Sequence, residues 1–237
     1  MPKLGVNIEP VAVLRERGSI PEADPVTAAV MAELGGADMI VCPLREGFRP
    51  ITEKDVKLLK AMIRSPIELQ ILPNEPMLAL TLAVSPDFIT LVPGKPDEVS
   101  GEVRLDANAG FDDLARVFKE IRSAERRVGL LIEPDLAQVK AAASLAVDFA
   151  EFSLVRLAEM KLPSERSEFM EAFGTAVMAA SKMGLGIGVS GGVDFRNAAE
   201  VCAKGKLHHV IAGGPLAARA LWTGFEQAVR DMAGLVH

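Results

Sequence analysis

Eight short apolar runs recur along the chain, each followed by a longer amphipathic segment, and this alternation restricts the fold more than any other feature. The runs are Leu4–Glu9, Met39–Leu44, Ile67–Leu72, Phe88–Pro93, Arg127–Glu133, Phe149–Leu154, Gly186–Ser190 and His209–Gly213. Most are nearly continuous in apolar residues, as strands covered on both faces are. Strands that alternate with helices form βα units around a parallel sheet. Eight such units in 237 residues predict one α/β domain over 1–237, a (β/α)8 TIM barrel whose chemistry lies at the C-terminal ends of its strands.

Capping signals locate the helices. Asp24-Pro25 starts the first and Gly35-Gly36 ends it; Thr52, Asn74-Glu-Pro and Pro134-Asp open the second, third and fifth. The fourth falls between Asn108 and Ala124, the long sixth runs from Ser164 to Met183, Asp194 caps the seventh, and the eighth runs from about Pro215 to Leu235. Three connections exceed the usual length of an α/β loop: Val11 to Asp24, Gly94 to Ala107 and Val155 to Pro163. All three follow strands, which makes them candidate lid or substrate-shaping elements at the C-terminal face.

Two glycine pairs stand at the ends of the last two strands, Ser190-Gly191-Gly192 and Gly213-Gly214. Backbone N–H groups without a Cβ in the way, next to a helix N-terminus, can close on a phosphate, and the loops after strands 7 and 8 are where barrels commonly hold one. The same glycines also fit tight strand-to-helix turns and nothing more. A net charge of −6 and the lack of a basic, aromatic-interleaved run exclude a nucleic-acid surface. No apolar run reaches the length of a membrane span. Cys42 and Cys202 are far apart and lack metal-ligand spacing, so neither a disulfide framework nor a metal is expected, nor any cofactor, and the chain reads as cytoplasmic.

Polar residues at the strand ends are few. Asn7 and Glu9 share a face by period-two alternation, as do Glu151 and Ser153; Arg45 and Glu46 follow strand 2, Gln70 lies in strand 3, Glu133 ends strand 5 and Ser190 ends strand 7. An inward carboxylate needs a partner or a ligand, and Arg45 is the candidate partner. Glu151 reads either as an internal ion-pair member or as an acid, base or stabiliser of a cationic intermediate. Arg15 reads as a surface charge. His208 and His209, at the start of strand 8, read as structural.

Gly5-Val-Asn-Ile-Glu9, Asp24-Pro25, Gly36-Ala-Asp38, Leu44-Arg-Glu46, Leu91-Val-Pro93, Glu98-Val99, Ile132 through Asp135 and Thr223-Gly224 together resemble the pyridoxine 5′-phosphate synthase family, colinearly over almost the whole chain. The resemblance implies a barrel with extra helices, assembly into homo-oligomers, and condensation of 1-deoxy-D-xylulose 5-phosphate with 3-amino-2-oxopropyl phosphate. Residue by residue it implies substrate binding by Asn7, Arg17, Arg45 and Ser100, phosphate contacts at Gly192 and Gly213, and transition-state stabilisation by Glu151.

The departures fall on the chemistry. Where the family carries histidines this chain has Pro10, Pro43, Pro50, Gly191 and Gly214, and the family's strand 3 glutamate base is Gln70. General acid–base steps contribute roughly 10²- to 10⁴-fold each. The resemblance therefore implies a divergent paralogue, in which Glu9, Arg45 and Glu151 carry any catalysis and Gln70 contributes to substrate binding. Three functions stay open: an enzyme acting on a phosphorylated small molecule, residual pyridoxine 5′-phosphate synthesis, and a non-catalytic phosphate-ligand binder or partner subunit.

Overall fold

A computed structural model describes residues 1–93, 106–108, 110–122 and 126–237. The expected barrel is there. Strands β1 (Lys3–Asn7), β2 (Met39–Pro43), β3 (Ile67–Ile71), β4 (Phe88–Leu91), β5 (Arg127–Ile132), β6 (Phe149–Ser153), β7 (Gly186–Ser190) and β8 (His209–Ala212) pair in parallel and close, β8 on β1. Outward-facing residues such as Leu4, Ile40, Leu69, Ile89, Leu130 and Val189 are buried beneath the helices, which explains the near-continuous apolar runs.

The interior begins with an apolar floor. Met39, Val41 and Ile211 pack together with Phe88, and the rings of Phe88, Phe149 and His209 meet edge to face at centroid distances of 5.3 to 6.4 Å. Two interior glycines make room for these rings. A Cβ on Gly129 would lie 2.2 Å from Phe149, and one on Gly188 would lie 2.0 Å from His209 Nε2.

One interaction repeats around the barrel. The residue just before each even-numbered strand accepts from an amide at the start of the preceding strand: Asp38 from Leu4 (2.8 Å), Asp87 from Ile67 (3.0 Å), Asp148 from Val128 (2.8 Å) and His208 Nδ1 from Ile187 (2.9 Å). His208 has the structural role its position suggests.

The helices are α1 (Glu9–Gly18), α2 (Pro25–Gly35), α3 (Glu53–Met62), α4 (Glu75–Val84), α5 (Phe111–Ile121), α6 (Leu136–Ser144), α7 (Val155–Glu159), α8 (Pro163–Lys182), α9 (Ala198–Cys202), α10 (Gly214–Thr223) and α11 (Phe225–Val236). Asp24, Thr52, Asn74 and Asp135 cap α2, α3, α4 and α6, with a full capping box between Thr52 and Asp55. Asp194 does not cap α9; it accepts from the amides of Arg196 and Asn197 in the preceding turn, so the helix starts later. The single eighth helix is two, because Gly224 at φ 82° turns the chain between α10 and α11.

Two of the three long connections are helical. The stretch after β1 is mostly α1, started by the Asn7 side chain accepting from Glu9 N at 2.8 Å, and the stretch after β6 contains α7. The third falls mostly outside the described residues. Since α1 buries only Ala12 fully, it has little apolar periodicity to reveal it.

Arg15 of α1 is not a free surface charge. Its guanidinium makes a fork-to-fork pair with Asp55 (2.9 and 2.7 Å) and donates to Pro50 O at 2.9 Å. Burial works against the Asp55 charge, but Arg15 and Thr52 outweigh it and hold the pKa below its ordinary value. Arg15→Ala would leave the buried Asp55 with a lost counter-charge, and an expected cost of about 2–4 kcal/mol is readable by denaturant unfolding at pH 7. Because the folded-state pKa is depressed, this stability is present in full above the unfolded value of about 4 and fades as pH falls through the folded one. Arg15→Ala should accordingly lose less stability than wild type on acidification.

Candidate active site

The mouth of the barrel is built outward from Asn7. Gly213, at the end of β8, comes so close that a Cβ there would lie 3.0 Å from Asn7 Cβ. Asn7 in turn fixes Glu9 at the start of α1, and Glu9 receives Arg45 through two bonds, Nε to Oε1 at 2.7 Å and Nη2 to Oε2 at 3.0 Å. Arg45 is half exposed, and its hydrogen bonds to Glu9 hold its pKa above the ordinary arginine value. Arg45 thus partners Glu9 and not Glu151. Gly213 also precedes α10, whose N-terminus carries no side-chain cap. Gly214 and Leu216 carry N–H groups in that first turn while Pro215 has none, and amides at a helix start favour an anion.

The two glycine pairs differ. Gly191 and Gly192 both sit at left-handed φ, 65° and 64°, and β-carbons on them would lie 2.6 Å from Val155 Cγ2 and 1.9 Å from Leu154 O. They are demanded by the close approach of the β7 turn to the start of α7. Gly214, by contrast, has no atom beyond its adjoining residues within 4 Å of a Cβ position. Arg17 is exposed on α1, and Ser100 lies outside the described residues.

Beneath the mouth is a buried polar cluster. Glu151 is fully buried; its Oε1 accepts from Gln70 Nε2 at 2.7 Å and its Oε2 lies 3.2 Å from Thr90 Oγ1. Gln70 also donates to Glu68 Oε1 at 3.2 Å, and Thr90 gives its one hydroxyl proton to the same oxygen at 2.8 Å. His209 Nε2 stands 3.8 Å from Glu151 Oε2. Burial pushes the Glu68 carboxyl well up, and the neighbouring Glu151 charge adds to it. Burial also raises Glu151, against the pull of Glu68 and of the Ser190 and Thr90 hydroxyls. For His209, burial depresses the pKa.

Sequence reasoning missed Glu68 and Thr90 and read His209 as a barrel-floor residue only. The signal for Glu68 was available, since it lies two residues before Gln70 and therefore on the same face. Glu133, at the end of β5, is raised by burial despite the attraction of Arg156, and its Oε2 has no hydrogen-bond partner among the described residues.

The sequence profile of the family described as "Pyridoxal phosphate biosynthesis protein PdxJ" matches residues 4–237. The chain belongs to the PdxJ family. A pyridoxine 5′-phosphate synthase of Geobacter metallireducens is 36% identical over 237 residues, covering 100% of this chain and 99% of that one. The enzyme of the same name from Microcystis aeruginosa is 36% identical over 229 residues, 97% of this chain and 95% of its own. Among solved structures, 3-keto-L-gulonate-6-phosphate decarboxylase of Vibrio cholerae superposes with a TM-score of 0.66 at 15% identity, covering 99% of this chain and 97% of that one. A phosphoribosylanthranilate isomerase of Thermotoga maritima gives 0.65 at 10% identity, with 100% and 98% coverage. At such identities these two share the fold with the PdxJ-family chain. Among the described residues, no helix is long and apolar enough to cross a membrane.

Proposed function

We propose that this PdxJ-family barrel is an enzyme of the pyridoxine 5′-phosphate synthase type that acts on a phosphorylated small molecule, of ketose phosphate or amino-ketone phosphate class, with acid–base groups of its own. The observation that carries the reading is the contiguous line at the barrel mouth from the uncapped start of α10 through Gly213, Asn7 and Glu9 to Arg45. Phosphate sits on the free amides of α10 and draws Arg45 away from Glu9. Glu9, released from its ion pair, then serves as the base. Glu151 acts from beneath the Ser190 hydroxyl, on which its pKa in part depends, without touching substrate.

The reading is supported by family membership and by phosphorylated substrates in the names of both fold neighbours. It extends to self-association, for which Leu221 and Trp222 on α10, 73% and 87% exposed, offer an apolar surface, and to a cytoplasmic location. A second reading, a phosphate-ligand binder without turnover, draws support from Glu151 being already engaged by Gln70 and Thr90.

Turnover of a panel of ketose and amino-ketone phosphates, followed by phosphorus NMR, tests the proposal. A phosphorylated member should be consumed and its dephosphorylated counterpart ignored. Arg45→Ala should lower kcat/KM by about 10²-fold, with Arg45→Lys intermediate because an ammonium cannot reproduce the fork. Binding of a phosphate ligand with no conversion anywhere in the panel would replace the enzyme with the binder. Rescue of a strain lacking pyridoxine 5′-phosphate synthase would identify the parent condensation as the reaction.

A further inference from the structure

Three side chains converge inside the barrel with more acceptor capacity than their neighbours satisfy. Glu68 from β3, Glu151 from β6 and His209 from β8 are all buried, and one ligand-type atom from each lies within 4.8 Å of the others. Gln70 donates to Glu68 Oε1 and Glu151 Oε1, and Thr90, with a single hydroxyl proton, can serve Glu68 Oε1 at 2.8 Å or Glu151 Oε2 at 3.2 Å but not both at once. Glu68 Oε2 and His209 Nε2 are left buried with no hydrogen-bond partner among the described residues.

Two carboxylates this close inside a protein stay ionised together only with a positive charge between them. A shared proton would join Glu68 to Glu151, yet it would leave His209 Nε2 unsatisfied, since 3.8 Å to Glu151 exceeds a hydrogen bond. A divalent cation meets all three demands at once. It takes an oxygen from each carboxylate and the imidazole nitrogen, while Gln70 and Thr90 keep the carboxylates oriented, as the partners of metal-ligating groups commonly do. Gly188 contributes by omission: a Cβ there would lie 2.0 Å from His209 Nε2 and displace the imidazole from this position.

We infer that Glu68, Glu151 and His209 form a divalent transition-metal site in the barrel interior. The imidazole selects zinc, manganese or iron over magnesium and calcium. Bonds of roughly 2.0–2.2 Å draw the three groups inward from their present spacing. No sequence motif announces the site, because each ligand comes from a different strand. The inference shares Glu151 with the proposed phosphate chemistry, but its test reads metal content instead of turnover.

The full chain, produced in medium supplemented with zinc or manganese and purified without chelator, is assayed by elemental mass spectrometry. One ion per chain is expected. Glu68→Gln and His209→Asn should each lower the content by about tenfold or more. His237→Gln should leave it unchanged, although His237 makes the other histidine–carboxylate contact, with Asp38 at 2.8 Å. X-ray absorption on the wild-type protein gives a reading that needs no variant: oxygen neighbours with an imidazole and no sulfur. Trace metal in the wild type, full content in Glu68→Gln, or sulfur from Cys42 or Cys202 in the coordination shell would each overturn the site.

Discussion

Gly192→Ala should cost the protein about 4 kcal/mol of stability, whereas Gly214→Ala should cost far less. Both residues belong to glycine pairs that follow a strand, yet their surroundings are opposite. At 192 the backbone is left-handed, and the added Cβ would overlap the Leu154 carbonyl at 1.9 Å. The neighbour is backbone, anchored by Leu154 N donating to Ser190 O at 2.8 Å, and cannot swing aside as a side-chain end would. Asn197 Nδ2 also donates to Gly192 O at 2.7 Å, so shifting the turn breaks a second contact. Strain of this kind, with a lost turn and displaced α7, is on the order of 4 kcal/mol. In a chain this long it should lower Tm by roughly 10 °C. At 214 no atom beyond the adjoining residues lies within 4 Å of a Cβ, and only the Pro215 ring, which crowds a preceding Cβ in helical backbone, opposes the change, for a cost of about 1 kcal/mol or less. Thermal and urea unfolding of the two variants checks both expectations. A Gly192→Ala protein as stable as wild type would mean that the β7 turn is not packed on Leu154.

The same contrast shows what a sequence does and does not make legible. The strands could be read because both of their faces are buried: the apolar run at Gly186–Ser190 coincides with β7 end to end. At β1 the run extended to Glu9, but the strand stops at Asn7, whose side chain caps α1. That helix escaped notice since its stability rests on a cap and on the Arg15–Asp55 pair, not on an apolar face. Glycine is ambiguous for a related reason. It reports that something approaches closely, and only the three-dimensional surroundings distinguish the Leu154 carbonyl at Gly192 from the open space at Gly214. The central cluster was half legible: Glu151 and Gln70 could be named, but their meeting with Glu68, Thr90 and His209 depends on barrel closure, which brings β3, β4, β6 and β8 to one interior.

Gln70→Glu, which would restore the glutamate that the family resemblance places in strand 3, is expected to destabilise the protein severely instead of repairing an active site. The Gln70 amide nitrogen donates to both Glu151 and Glu68. A carboxylate in its place removes those donations and adds a third acceptor-only group to a fully buried pair. Three carboxylates cannot all stay ionised at this depth, and each neutral one gives up charge-assisted bonds to the groups that hold it. Loss of one partner from a buried charged network typically costs about 3–5 kcal/mol, and the added charge increases this. The measurement is urea unfolding at neutral pH in the presence of chelator, so that no bound cation offsets the extra charge. Glu68→Gln placed on top of Gln70→Glu should recover much of the loss, because it returns the cluster to two carboxylates bridged by an amide. Strong non-additivity of that sign is what groups in direct contact show. A Gln70→Glu protein of wild-type stability, or a double variant no better than the single, would mean that the three side chains do not share one network. The identity of residue 70 is then tied to residue 68, and the parent family's base cannot be reinstated here by a single substitution.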